Sequence, residues 1–221
     1  YTPIRIEIEK IIRKVQISLK KQDKDETFQF RLVGSGNRHL ITRIINGNSG
    51  FDFDYNLILN EKDFKWKATI RKDFFKAFQE ATKGTKFNKI ENSTSVITIK
   101  YIKGDKIIAG CDFSIVRYPS NDKSCYQYAK YNKQLENYTW EIRDISKNCD
   151  EKLLELKEHD EYIWNDIKEE YLKLKNNDRQ KKHSFILYHE AINNLYNRVI
   201  KRDGCNLSFY TTNFVRVPSL R

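Results

Sequence analysis

Methionine is absent from all 221 residues, and glycine (eight), proline (three) and cysteine (four) are scarce. About five methionines would be ordinary for this length. Their absence, even at position 1, leads to the expectation that Tyr1 is not the native start and that methionines are missing from the chain as written. Cys111, Cys125, Cys149 and Cys205 are scattered, with no CxxC pair. That spacing argues against a zinc site and a disulfide scaffold, and it points to a reducing cytoplasm. No stretch approaches the run of about 20 apolar residues that a membrane span needs, and no signal peptide is visible, so no membrane partner is expected. Internal repeats are lacking as well.

Charge of one sign is in excess. Lys and Arg number 41 against 30 Asp and Glu, a formal net charge of +11. This balance favours a polyanionic partner, but Lys, Asn and Ile are abundant throughout and no basic tail stands out.

Apolar spacing divides the chain. Pro3 to Lys21 places Ile4, Ile8, Ile11, Ile12 and Val15 at helical intervals, with proline in the first turn. Thr27 to Val33 alternates Phe28, Phe30 and Leu32 with polar residues and predicts a strand ending at Gly34. Gly34 to Gly50 reads as a turn-rich loop after a short helical piece. Phe51 to Leu59 predicts a central strand, Asp63 to Ala81 a helix, and Thr94 to Ile102 with Lys106 to Val116 a hairpin about Lys103-Gly104-Asp105. Past Pro119 the pattern changes. Ser120 to Tyr138 is polar and rich in Tyr, Thr139 to Ile145 suggests one more strand, and Asp150 to Lys175 and Lys181 to Lys201 predict helices. The Phe/Tyr/Val-rich tail from Asn206 is expected to pack. The sequence thus suggests an α/β half and a mostly helical half.

Three acids carry the chemistry: Asp52 and Asp54 in GFDFDYNLIL, and Asp112 in AGCDFSIVRY. In a strand, residues i and i+2 share a face, so Asp52 and Asp54 project together while Phe53 points the other way. Burying adjacent carboxylates costs several kcal/mol unless a cation or donor compensates. A DxD in a loop is ordinarily just solvated, but this one is flanked by Phe51, Phe53, Leu57, Ile58 and Leu59. With the Gly34-Ser35-Gly36 turn upstream, the economical explanation is a divalent metal site holding a nucleoside triphosphate. A basic-aromatic stretch (Tyr126, Tyr128, Tyr131 and Tyr138 among Lys123, Lys130 and Lys133) suits base stacking, or equally a half-buried surface segment. His183 and His189 lie six apart on one helix, so they are not a ligand pair.

The motif Val33-Gly34-Ser35, then Asp52-Phe53-Asp54, then Asp112 resembles the DNA polymerase β-like nucleotidyltransferase superfamily across residues 27–117. The order of elements matches too. The resemblance implies an α+β fold, a mixed β-sheet with flanking helices, followed by a mostly helical C-terminal region akin to that of oligoadenylate and cyclic-dinucleotide synthases. It implies a catalytic core over residues 1–118 and an accessory region over 119–221. Asp52, Asp54 and Asp112 would be the catalytic residues and the ligands of Mg²⁺ or Mn²⁺. Gly34, Ser35 and Arg38 (or Arg43) would meet the phosphates, and His39 would touch either the ligand or only its own loop. The loop departs from the family pattern: Gly36-Asn37-Arg38-His39 stands where a small residue and a Gly-Ser/Thr pair are usual, and Asp52 follows Ser35 by 17 positions.

Two functions follow. The first is an enzyme moving a nucleoside monophosphate from an NTP to a hydroxyl, with a nucleotide or RNA acceptor favoured, releasing pyrophosphate. The second is a noncatalytic nucleic-acid or nucleotide binding protein on the same fold, although a pure binder has little reason to keep three repelling carboxylates.

Overall fold

The structure, a computed structural model, describes residues 1–21, 27–42, 50–60, 69–119, 125–144, 147–180 and 182–210. The chain divides into two compact units, Tyr1–Ile145 and Ser146–Arg221.

The first unit opens with α1 (Thr2–Lys21), which buries Ile8, Ile11, Ile12, Val15 and Leu19, a stripe at helical spacing. β1 (Phe28–Val33) leads into the single turn α2 (Gly34–Asn37), then β2 (Phe51–Leu59), α3 (Ile70–Thr82) and β3 (Lys89–Asn92). β4 (Ile97–Lys103), β5 (Lys106–Arg117), β6 (Cys125–Asn132) and β7 (Asn137–Asp144) follow. One mixed seven-stranded sheet results, in the order β1-β2-β5-β4-β3, with β6 on the end of β5 and β7 on β6. β2 and β5 run parallel, and every other pair is antiparallel.

Strand parity builds the core. Phe53, Tyr55, Leu57 and Leu59 of β2 share one face with Cys111, Phe113 and Ile115 of β5 and Ile97 and Ile99 of β4. α1 and α3 pack there and supply Ile8, Ile12, Phe74 and Phe78. The Phe78 and Phe113 rings stack 4.4 Å apart, and Phe28 meets Phe74 at 5.1 Å. This is the mixed sheet with flanking helices that the sequence implied.

Among the described residues one charged group enters the core. Arg71, in the first turn of α3, is 1% exposed. Its guanidinium donates to Asn92 Oδ1 at 2.9 and 3.1 Å, to the Ser93 carbonyl at 2.9 Å and to the Ala129 carbonyl at 3.2 Å. Burial pulls its pKa down to about 10. Neutral acceptors satisfy its donors, and it ties α3 to the β3–β4 turn and to β6.

The second unit contains α4 (Lys147–His159), α5 (Ile163–Asn177) and α6 (Ser184–Tyr210). It buries Leu156, Ile163, Ile167, Tyr171, Leu187, Ala191 and Ile192.

Of the helix expected over Asp63 to Ala81, Ile70 onward is present in α3, while residues 61–68 lie outside the described residues, as do Asn46 to Ser49 and residues 211–221. Several expectations that fall on described residues need correction. The single helix from Asp150 to Lys175 is two helices, broken where Asp160 Oδ1 accepts the Tyr162 N–H at 2.8 Å. Residues 125–144 are not part of a helical region. β6 and β7 extend the sheet, so the boundary placed after residue 118 falls inside the first unit. The Tyr-rich stretch alternates as a strand, with buried Ala129 facing the core and Tyr128 and Lys130 facing away. That face is polar enough to mask the strand signal.

Candidate active site

The polar parity of the same strands forms the candidate site. Asp54 of β2 is the register partner of Asp112 of β5, across a parallel ladder. The row continues to Val33 of β1 on one side and to Thr98 of β4 and Glu91 of β3 on the other. Two residues away lies a second row: Asp52, Gly110, Lys100, Lys89. Register partners project to one face. Asp52, Asp54 and Asp112 therefore converge on the face opposite the α1–α3 core, as the sequence led us to expect. Asp52 is exposed, while Asp54 and Asp112 are half-buried.

Two glycines make room for them. Gly34 has φ +61°, and a Cβ there would lie 2.5 Å from Asp54 Oδ2. It is therefore needed both for its backbone conformation and for the close approach of the GS turn to the carboxylate. A Cβ at Gly110 would lie 2.7 Å from Asp52 Oδ1, so this glycine leaves the space that the Asp52 carboxylate leans over. Sequence reasoning missed Gly110, although an isolated glycine inside a strand is a signal of such an approach.

Electrostatics mark the cluster. Burial, reinforced by Asp112 and Asp52, pushes the Asp54 carboxyl up to about 6. Burial also raises Asp112, opposed by the Thr98 hydroxyl and by Lys100. Behind them the Cys111 thiol is raised by burial and by all three carboxylates. Thr98 Oγ1 donates to Asp112 Oδ1 at 2.5 Å, the short distance of a charge-assisted bond. Lys100 Nζ binds Glu91 at 2.7 Å, and Lys89 meets the same carboxylate at 2.9 Å.

The phosphate-binding candidates are placed less completely. Ser35 lies in α2, immediately after Gly34, and its carbonyl accepts the Leu40 N–H at 2.9 Å. Arg38 Nη1 donates to the Gly34 carbonyl at 3.3 Å, bracing the turn. Arg43 lies outside the described residues. His39, at φ 54°, joins Arg5, Glu9, Arg31 and Tyr55 in lining a cleft of ≈ 420 Å³ on the α1–β1 side, whose lining includes none of the three acids.

Among the described residues, no three Asp, Glu, His or Cys side chains are grouped tightly enough to hold an ion by themselves. The donor set nonetheless fits a hard divalent cation. It offers only carboxylate oxygens, and Asp54 carries uncompensated repulsion that a cation would relieve. Mg²⁺ ordinarily takes one or two carboxylates and completes its shell with water and substrate phosphates, so a closed protein cage is not required.

No protein-family model matches the chain, and no curated protein matches it. Solved structures do. The GTP-bound form of Vibrio cholerae DncV superposes with a TM-score of 0.58 at 14% identity, covering 83% of this chain and 49% of that one. The V. cholerae di-nucleotide cyclase DncV in complex with GTP and 5MTHFGLU2 gives 0.56 at 13%, covering 76% and 48%. The 3'-deoxy ATP bound form of DncV gives 0.54 at 14%, covering 76% and 45%. This chain thus spans about half the length of the structures it matches. In fold it is similar to DncV, and it has the mixed sheet with flanking helices that the resemblance implied.

Proposed function

We propose that the chain carries the catalytic centre of a metal-dependent nucleotidyltransferase. It would move a nucleoside monophosphate from an NTP to a hydroxyl acceptor and release pyrophosphate. The observation that carries this reading is the in-register pairing of Asp54 with Asp112 on the open face, beside Asp52, with Gly34 pressed against Asp54. Similarity in fold to DncV, captured with GTP and with 3'-deoxy ATP, supports an NTP as substrate.

Phosphoryl transfer asks little covalent chemistry of a protein; it asks for positioning and charge neutralisation. Asp52, Asp54 and Asp112 would hold Mg²⁺ or Mn²⁺. When bound, the ion would neutralise the triphosphate and lower the pKa of the attacking hydroxyl. Gly34 lets the backbone approach the phosphates, and the Ser35 hydroxyl is a donor within the same turn. Arg38 braces the turn through the Gly34 carbonyl and adds positive charge beside it. The net charge of +11 favours a nucleotide or RNA acceptor over a cationic one.

The test is incorporation of labelled NTP, with pyrophosphate release, in Mg²⁺ or Mn²⁺. The wild type should turn over, and Asp52→Ala and Asp112→Ala should not. Full activity in those variants contradicts the ligand assignment. Salt-steep RNA binding without turnover would replace the enzyme with a noncatalytic nucleic-acid binder on the same fold.

A further inference from the structure

The geometry points to Thr98 as a positioning residue that fixes the Asp112 carboxylate for metal binding. The inference rests on the nucleotidyltransferase reading above and adds a residue to it. Thr98 faces Asp112 directly across the antiparallel β4–β5 ladder, so the two side chains share the open face. Its hydroxyl donates to Oδ1 at 2.5 Å. Among the described residues no other hydrogen bond to this carboxylate is present, so Oδ2 is the oxygen left for an incoming ion.

The cation one row away is kept from replacing Thr98. Lys100 stands one row away on the same strand face, and its ammonium is held at 2.7 Å by Glu91, which Lys89 also binds at 2.9 Å. A lysine seated on Asp112 would compete with a metal for the carboxylate. A neutral hydroxyl orients the carboxylate and leaves its charge intact. β-branching suits Thr98 to this task, because the strand backbone restricts χ1 and fixes where the hydroxyl points. Partners of this kind, which orient a metal ligand without touching the ion, are typically worth about 10–100-fold in affinity or activity.

The test compares the full chain with Thr98→Val, which keeps the branched shape, and Thr98→Ser, which keeps the hydroxyl. Mn²⁺ affinity is read from the electron paramagnetic resonance of free Mn²⁺, with α,β-methylene-ATP or α,β-methylene-GTP saturating. NMP transfer is read as kcat and KM for the NTP. Thr98→Val should bind Mn²⁺ about 10–100-fold more weakly and lose kcat by a similar factor, while KM stays within about twofold. Thr98→Ser, which keeps the hydroxyl without the branch, should restore most of both. Adding Thr98→Val to Asp112→Asn should cost nothing further, because the two act as a unit. If the wild type binds Mn²⁺ and turns over while Thr98→Val matches it in both readouts, Thr98 has no positioning role. A loss that Thr98→Ser fails to rescue, accompanied by a lower melting temperature, would reduce Thr98 to a structural residue and overturn the inference. A wild type that binds no Mn²⁺–nucleotide overturns the nucleotidyltransferase reading, and this inference with it.

Discussion

β2 and β5 present two faces built from alternate residues of the same strands. On one, Phe53, Tyr55, Leu57, Cys111, Phe113 and Ile115 are almost wholly buried beneath α1 and α3. On the other stand Asp52, Asp54, Asn56, Asp112 and Ser114, none of them buried. A period of two lets one strand pair serve stability and chemistry together, since a change to one face leaves the other's packing in place. The contrast is also energetic. The apolar face contributes burial free energy, whereas the acidic face works against it: the Asp54 carboxyl is raised to about 6 by burial and by its two neighbours. Clusters of groups that perturb one another in this way mark functional sites more often than structural ones.

Substitutions on each face should therefore separate cleanly. The largest effect is expected at Asp112. Asp112→Asn should lower NMP transfer by more than about 1,000-fold, equivalent to several kcal/mol of lost transition-state stabilisation. Its melting temperature should stay at or above that of the wild type. Next comes the apolar face. Phe113→Ala removes a ring stacked 4.4 Å from Phe78. It should cost about 3–5 kcal/mol in urea unfolding, with kcat per folded molecule unchanged.

Asp54 provides a smaller effect that depends on pH. Its carboxyl binds a proton more tightly in the folded chain, at about 6, than at the ordinary 3.8. The stability present below the ordinary value is thus lost as pH rises through about 6. In metal-free buffer, Asp54→Asn should be more stable than the wild type by about 2 kcal/mol near pH 8. The gain should vanish below about pH 4. A variant less stable than the wild type near pH 8 would mean that Asp54 is compensated within the protein. The smallest effect belongs to the second unit, where Asp160→Ala removes the acceptor for the Tyr162 N–H at the α4–α5 break. The loss should be about 0.5–1 kcal/mol, checked by the same urea titration and with no change in activity.

The two faces also explain what the sequence could and could not reveal. The apolar and aromatic run of FDFDYNLIL, interrupted only by Asp52, Asp54 and Asn56, exposed β2 and its acids, because such a flank leaves carboxylates on one parity unexplained. The convergence of Asp112 on Asp54 could be expected only from the order of elements, since their pairing depends on the parallel register of strands far apart in sequence. β3 escaped notice because KIEN is short and largely polar and takes its place from β4. β6 escaped because Tyr, Gln and Lys fill most of its positions and Ala129 is its one fully buried residue. The α4–α5 break was hidden because Leu156, Ile163 and Ile167 keep helical spacing across it, with no proline or glycine to mark the interruption. Thr98 carried no chemical signal of its own, and its role appears only once β4 lies beside β5.

The most direct measurement is a crystal of the chain grown with Mn²⁺ and a non-hydrolysable NTP, examined by anomalous scattering. A Mn²⁺ peak bound by Asp52, Asp54 and Asp112 is expected, with the triphosphate against Gly34 and Ser35. Nucleotide bound away from these carboxylates, with no ion among them, would contradict the proposed site.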